Sequence, residues 1–179
     1  MMVLAKLKTL QAKTQRATED LAKAIPDILY NFNTVKSEPT AKVYSGQIEF
    51  MSLMYKIFES SPHNSEFLWL AEGKNLYEII GDEYFNVELS RLRANKRIKA
   101  RILASNTNII LKQRLQSQKL WEMREAKFLP DEFNTDCTIL ITKNQVINWN
   151  TINPKAVVIE DSILAKTYKS IFEFIWKRS

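Results

Sequence analysis

Between residues 41 and 105, short apolar runs alternate with longer stretches of helical periodicity, and this alternation limits the possible folds more than any other feature. The apolar runs have the length of buried strands, whereas the longer stretches repeat apolar residues every three or four positions. The predicted strands are 41–44, 66–71 and 98–104, and the predicted helices are 47–60 and 75–96. Strands separated by helices are typical of an α/β domain with parallel strands and helices on both faces.

The second half of the chain adds a hairpin to this pattern. Residues 138–142 and 146–149 are two apolar runs joined by a short polar turn, which predicts a pair of antiparallel strands. A short strand near 126–129 precedes the hairpin, and a strand at 156–159 with a helix at 161–176 follows it. The predicted fold is therefore α/β, with a mixed, mostly parallel sheet flanked by helices.

The first thirty residues carry a seven-residue apolar repeat without glycine or proline before Pro26. Such a repeat is typical of a long coiled-coil helix. Its apolar positions include Leu7, Leu10, Leu21 and Ile28. The helix either packs on its own domain or pairs with a second chain, and we expect pairing in a dimer. The predicted organisation is a dimerisation helix at 1–30, a linker at 31–40 and an α/β domain at 41–179.

Positive charge is concentrated between residues 91 and 127. This stretch holds eleven Lys or Arg against two Glu, so the remainder of a chain of net charge +6 is negative by about three. Around the start of the predicted strand 98–104, Arg97, Lys99 and Arg101 alternate with apolar residues and are therefore predicted to project to one side. A solvated rim is the simplest interpretation. The alternatives are a site for a phosphorylated or acidic small molecule, with these three residues as ligands, and contact with a nucleic-acid backbone.

The composition argues against several kinds of active site. Three glycines leave no glycine-rich phosphate loop, and one histidine (His63) with one cysteine (Cys137) offers no metal-ligand spacing. His63 falls in a predicted turn without a neighbouring acid or nucleophile. We therefore predict no cofactor, no metal site and no enzymatic activity. No apolar run reaches the ~18–20 residues of a membrane span, so we expect a cytoplasmic protein.

Several short motifs resemble the TrmB-type transcriptional regulators. The residues Ile25-Pro26-Asp27-Ile28-Leu29 and Glu38-Pro39-Thr40-Ala41-Lys42-Val43-Tyr44-Ser45-Gly46 are similar to the linker and first strand of that family. The hairpin at 138–149 and the segment Val157-Val158-Ile159-Glu160-Asp161, with its helix through Trp176, are similar to the end of the family's domain. The resemblance covers residues 15 to 179.

The resemblance implies a fold and a function. Members of the family join a DNA-binding winged helix and a dimerising coiled coil to a phospholipase D-like effector domain. A winged helix would need roughly sixty residues before the coil, and the sequence leads us to expect a chain without that module. His63 is not followed by the lysine of the phospholipase D motif His-x-Lys-x4-Asp. The resemblance therefore implies a non-catalytic regulatory and ligand-sensing domain without a DNA-binding module of its own.

The expected partners follow from the same resemblance. They are a second copy or a full-length regulator, and a small anionic or sugar ligand, with nucleic acid contacted only indirectly. One alternative is a nucleic-acid-binding protein that uses residues 91–127. A second is an enzyme of the phosphodiesterase type, which the single histidine argues against.

Overall fold

The computed structural model describes residues 39–71, 81, 84–109, 111–112, 123–130, 132–133, 137–150 and 152–179. The predicted dimerisation helix 1–30, with Leu7, Leu10, Leu21 and Ile28, lies outside the described residues, as does the predicted linker up to residue 38. Dimer formation through that helix therefore stays a prediction.

The described residues form a mixed α/β structure in which every predicted strand is present. The strands are β1 (Thr40–Ser45), β2 (Glu66–Ala71), β3 (Lys99–Ser105), β4 (Arg124–Leu129), β5 (Cys137–Ile141), β6 (Gln145–Asn150) and β7 (Lys155–Glu160). The helices are α1 (Gln47–Ser60), α2 (Ser90–Lys96), which continues the π-helical segment Tyr84–Leu89, and α3 (Ser162–Trp176). None of these helices is long and apolar enough to cross a membrane.

The seven strands form one sheet in the order β1-β7-β6-β5-β2-β3-β4. The pairings β2–β3 and β3–β4 are parallel. The other four pairings of the described strands are antiparallel. The prediction of a mostly parallel sheet is therefore wrong. The physical reason is that β1 does not pair with β2, the next strand in sequence. It pairs with β7 at the far edge of the sheet, and the hairpin β5–β6 lies between β7 and β2.

Each face of the sheet has its own apolar core. Helix α1 covers one face with Phe50 and Met54, both fully buried, and the Phe50 ring meets that of Trp149 at 4.6 Å in an edge-to-face contact. Helix α3 covers the opposite face with the fully buried Phe172, which packs among side chains such as Leu68 and Leu103. Burial on both faces explains why β2 and β3 are nearly continuous apolar runs.

The hydroxyl of Thr138 yields a stability prediction. Thr138 is fully buried opposite Trp149 in the β5–β6 register, and its Oγ1 has no hydrogen-bond partner within the described part of the chain. Because a buried hydroxyl without a partner costs free energy, Thr138→Val should raise the free energy of unfolding by about 1 kcal/mol. Urea unfolding measures this change.

Thr142→Val is the matched control for that substitution. The Thr142 hydroxyl accepts a hydrogen bond from the Gln145 amide at 3.2 Å, so its loss should lower stability. Destabilisation by Thr138→Val of the same size as that by Thr142→Val would contradict the prediction.

Candidate anion-binding site

Arg97, Lys99 and Arg101 lie where β3 begins, but the structure gives them different environments. Arg97 is exposed and ends α2 in the left-handed conformation, with φ 54°, and its amide donates to the Ala94 carbonyl oxygen at 3.0 Å. Lys99 is also exposed. The Arg101 side chain is only 17% exposed. The alternation in β3 places Lys99 and Arg101 on the face that α3 covers.

Arg101 binds several groups of this chain. Its Nε donates to Glu66 at 2.9 Å, and its Nη1 donates to Glu173 at 3.1 Å. The guanidinium carbon lies 5.4 Å from the ring centroids of both Phe172 and Trp176. These contacts join β2, β3 and α3. Arg101 therefore mainly stabilises the fold, and few of its hydrogen-bond donors remain available to an external anion.

The two carboxylates around Arg101 stay ionised. The hydrogen bond from Arg101 lowers the pKa of Glu173. Burial opposes ionisation of Glu66, but hydrogen bonds and charges from Arg101 and Lys169 outweigh it, so the pKa of Glu66 is lowered as well. The hydrogen bonds with Glu173 and Glu66, together with the negative charges of these two residues, outweigh burial and raise the pKa of Arg101. The result is a locally balanced group of charges on the face covered by α3.

Other cations of the basic stretch also bind main-chain oxygens. Lys96 donates to the carbonyl oxygens of Glu59 and Ser61, the latter at 2.9 Å, just where α1 ends. Lys127 donates to the carbonyl oxygen of Trp176 at 2.6 Å, where α3 ends. A cation at a helix C-terminus compensates the partial negative charge of the last carbonyl groups. Much of the charge between residues 91 and 127 therefore stabilises the fold.

A second set of cations lies on the outer side of α3, and the sequence pattern did not reveal it. These cations and three neighbouring residues line a shallow groove. We call the whole set the α3 stripe: Lys166, Lys169, Ser170, Glu173, Phe174, Lys177 and Arg178. Phe174 is 58% exposed, and the Arg178 guanidinium lies 3.5 Å from its ring centroid. The spacing of the lysines at 166, 169 and 177 could have indicated a basic side of this helix, but its apolar side gives the more obvious pattern.

The α3 stripe is positively charged because its carboxylate is already paired. Both oxygens of Glu173 bind Arg101. Lys169 lies 3.1 Å from Glu66 and is half exposed. Lys166 and Lys177 are exposed and form no ion pair with the described residues. The stripe therefore presents free ammonium groups beside an exposed aromatic ring.

The described residues contain no obvious catalytic or metal-binding arrangement. His63 is exposed in the turn between α1 and β2, whereas Cys137 is half-buried at the start of β5, and Cys137 does not line the cleft that His63 lines. Within the described ranges, no three His, Cys, Asp or Glu side chains lie close enough together to hold a metal ion.

Comparison with known proteins gives similarity of structure only. No family model and no curated protein matches the sequence. TrmBL2, an archaeal chromatin protein whose structure shows a novel mode of DNA binding, is similar with a TM-score of 0.54 at 18% identity. The match covers 96% of this chain and 67% of TrmBL2. The chain has a TrmB-related fold.

A second solved structure has a similar fold. NucT from Helicobacter pylori matches with a TM-score of 0.52 at 13% identity, over 78% of this chain and 97% of NucT. At such identities the similarity concerns the fold and does not transfer an activity.

Proposed function

We propose that this chain is a non-catalytic regulatory protein that contacts nucleic acid through the α3 stripe. The observation that carries the proposal is that Lys166 and Lys177 are exposed and form no ion pair with the described residues, while the carboxylate of Glu173 between them binds Arg101. Ammonium groups set along one helix attract the phosphates of a nucleic-acid backbone and release its counterions on binding.

Phe174 favours a single strand over a duplex. Bases that are not paired can stack on an exposed aromatic ring, and the flanking cations can follow the backbone. Phe174 lies between the lysine-bearing turns of α3 and is more than half exposed. The stretch 91–127 carries more charge, but its single aromatic residue, Trp121, lies near the end of that stretch, and Arg101 and Lys127 are bound within the fold.

The fold similarity supports a link to nucleic acid. TrmBL2 has a structure that shows a mode of DNA binding, and this chain shares its fold over 96% of its own length. The proposal differs from the sequence-based expectation of only indirect contact, because it assigns a contact surface on the domain itself. Pairing through residues 1–30 would place two such stripes in one dimer and raise the apparent affinity.

Substitution of two stripe lysines tests the proposal. Fluorescence anisotropy with a labelled 20-nucleotide single strand, at about 50 mM salt, should show binding by the full chain that weakens steeply as salt increases. Lys166→Gln with Lys177→Gln should lower the affinity about tenfold and reduce the slope of log affinity against log salt by about 1.4, since each single-strand contact contributes about 0.7.

The control removes the same charge elsewhere. Lys42→Gln with Lys56→Gln changes two exposed lysines on β1 and α1, which are not part of the stripe, and should leave the slope nearly unchanged. Equal losses in the two double variants would show that only net charge matters. Absence of wild-type binding at low salt would refute the proposed function outright.

A further inference from the structure

A cleft lies beside the amino-terminal half of α3, at the end of the sheet where β2 begins. It has a volume of about 850 Å³. One wall is the turn 60–65 between α1 and β2, the second is the β5–β6 turn at 142–145, and the third is the part of α3 that carries Ser162, Lys166 and Lys169. Sites for small molecules usually have volumes of roughly 300–1,000 Å³, so this cleft has the right size for a metabolite.

Hydrogen bonds hold two walls of the cleft in place. In the β5–β6 turn, the Thr142 amide donates to the Gln145 carbonyl oxygen at 2.9 Å, and the Asp161 amide donates to the Asn144 carbonyl oxygen at 3.0 Å. The second bond attaches the turn to the residue that caps α3, so it fixes Lys143 near the start of that helix. Preformed walls lower the cost of ordering a site when a ligand binds.

The opposite wall is fixed in the same way. The Asn64 amide donates to the Lys96 carbonyl oxygen at 2.8 Å, and the Lys99 amide donates to the Ser65 carbonyl oxygen at 2.9 Å. The turn that contains His63 is therefore attached to the β3 side of the sheet. This leaves the side chains of His63 and Asn64 at the edge of the cleft.

The charges of the cleft favour an anion. Its carboxylate, Glu66, binds Arg101 at 2.9 Å and Lys169 at 3.1 Å. Lys143 and Lys166 are exposed and have no such partner among the described residues. The Asp161 carboxylate is not part of the lining. It accepts hydrogen bonds from the amides of Ile163 and Leu164 and so caps the amino-terminal end of α3.

Neutral polar groups complete the lining. They are the side chains of Ser162, Asn64 and Asn144, which can donate hydrogen bonds to phosphate oxygens. Ammonium groups combined with neutral donors are the usual means of holding a small phosphate. Thirteen of the eighteen residues that line the cleft are polar or charged, and the other five are apolar.

We infer that this cleft binds a small phosphate-bearing molecule and that its ligand competes with nucleic acid for the α3 stripe. The reason is that Lys166 and Lys169 line both the cleft and the groove of the stripe. A phosphate that binds these ammonium groups from the cleft removes them from the backbone contact, and nucleic acid weakens the small ligand by the same factor. The competition rests on the proposed function, but the cleft as a phosphate site does not.

Pyrophosphate is the probe for the first part of this inference. Calorimetric titration of the full chain should give one saturable site per chain. Lys143→Gln should weaken pyrophosphate about fivefold to tenfold, because Lys143 lines the cleft and not the stripe. Lys177→Gln is the matched control, since Lys177 lines only the stripe and should leave pyrophosphate binding unchanged. Absence of saturation with the wild type, or equal effects of the two substitutions, would overturn the cleft as a phosphate site.

Competition tests the second part. Pyrophosphate added to the complex with the labelled single strand should weaken nucleic-acid binding more than sodium chloride of the same ionic strength does. This additional weakening by pyrophosphate should be lost in the Lys143→Gln variant. Lys177→Gln, by contrast, should weaken nucleic-acid binding even when pyrophosphate is absent. Equal effects of pyrophosphate and chloride would refute the competition. If the single strand does not bind at all, the proposed function fails, and the titration still decides whether the cleft binds phosphate.

Discussion

Replacement of Arg101 by methionine is expected to lower the free energy of unfolding by about 2 kcal/mol, because it removes the charged hydrogen bonds of a partly buried ion-pair network. Glu173 loses its ion pair with Arg101, and Glu66 keeps its ion pair with Lys169. The contacts of the guanidinium with the Phe172 and Trp176 rings are lost as well. Urea unfolding followed by far-ultraviolet circular dichroism measures the loss.

Lys99→Met is the matched control for this prediction. Lys99 precedes Arg101 by two positions on the same strand and face, but its side chain is exposed, so its loss should change stability by less than about 0.5 kcal/mol. Adding Glu173→Gln to Arg101→Met should recover about 1 kcal/mol, since the unpaired carboxylate is then neutral. Equal stability of the Lys99→Met and Arg101→Met variants would show that the charge network does not hold α3 on the sheet.

Acid should reduce the difference between wild type and Arg101→Met. The carboxyls of Glu66 and Glu173 have lowered pKa values in the folded protein, so the stability they contribute is present above their usual value of 4.5. That contribution is lost as the pH falls through the lowered folded values. The variant has less of it to lose, and its unfolding free energy should therefore depend less steeply on pH below about 4.5.

Truncation of Phe172 is expected to cost about 3–5 kcal/mol, the usual range for a fully buried phenylalanine. Phe172 is inaccessible to solvent and stacks on Trp176 with ring centroids 5.5 Å apart. It is also the central contact of α3 with the second core of the sheet. Thermal unfolding of Phe172→Ala should show a transition several degrees or more below that of the wild type.

Phe174→Ala separates packing from binding on the same helix. Phe174 is 58% exposed, so its truncation should change stability by less than about 0.5 kcal/mol. Because a stacked base contributes about 1–3 kcal/mol, the same substitution should weaken single-strand binding about tenfold and have little effect on duplex binding. A large loss of stability in Phe174→Ala would show instead that the ring belongs to the core.

Local patterns in the sequence were sufficient to locate the strands. The runs that became β2 and β3 are apolar because both faces of each strand are covered, and this requirement is visible in the sequence alone. The hairpin of β5 and β6 was equally clear, because its strands are joined by a short turn. The direction of most pairings was not predictable in this way. β1 pairs with β7, its partner from the other end of the domain, and no local pattern specifies such a contact.

In the candidate site, too, local sequence patterns predicted some features, and contacts between distant residues decided the others. Alternation predicted that Arg97, Lys99 and Arg101 project to one side. Lys99 and Arg101 do share a face of β3, whereas Arg97 lies before the strand and ends α2 in the left-handed conformation. Alternation could not show that Arg101 meets Glu66 and Glu173, which are 35 and 72 positions away, and is therefore engaged within the fold. Nor could it show that Lys143 of a hairpin turn and Lys166 of α3 line one cleft.

The sequence by itself determined which segments are strands and helices, since periodic burial leaves its mark on neighbouring residues. It also determined that positive charge exceeds negative charge. Only the tertiary structure decided which of these charges remain available to a partner. Availability depends on pairing between distant residues: Arg101 occupies the carboxylate of Glu173, and the lysines on the outer side of α3 remain exposed.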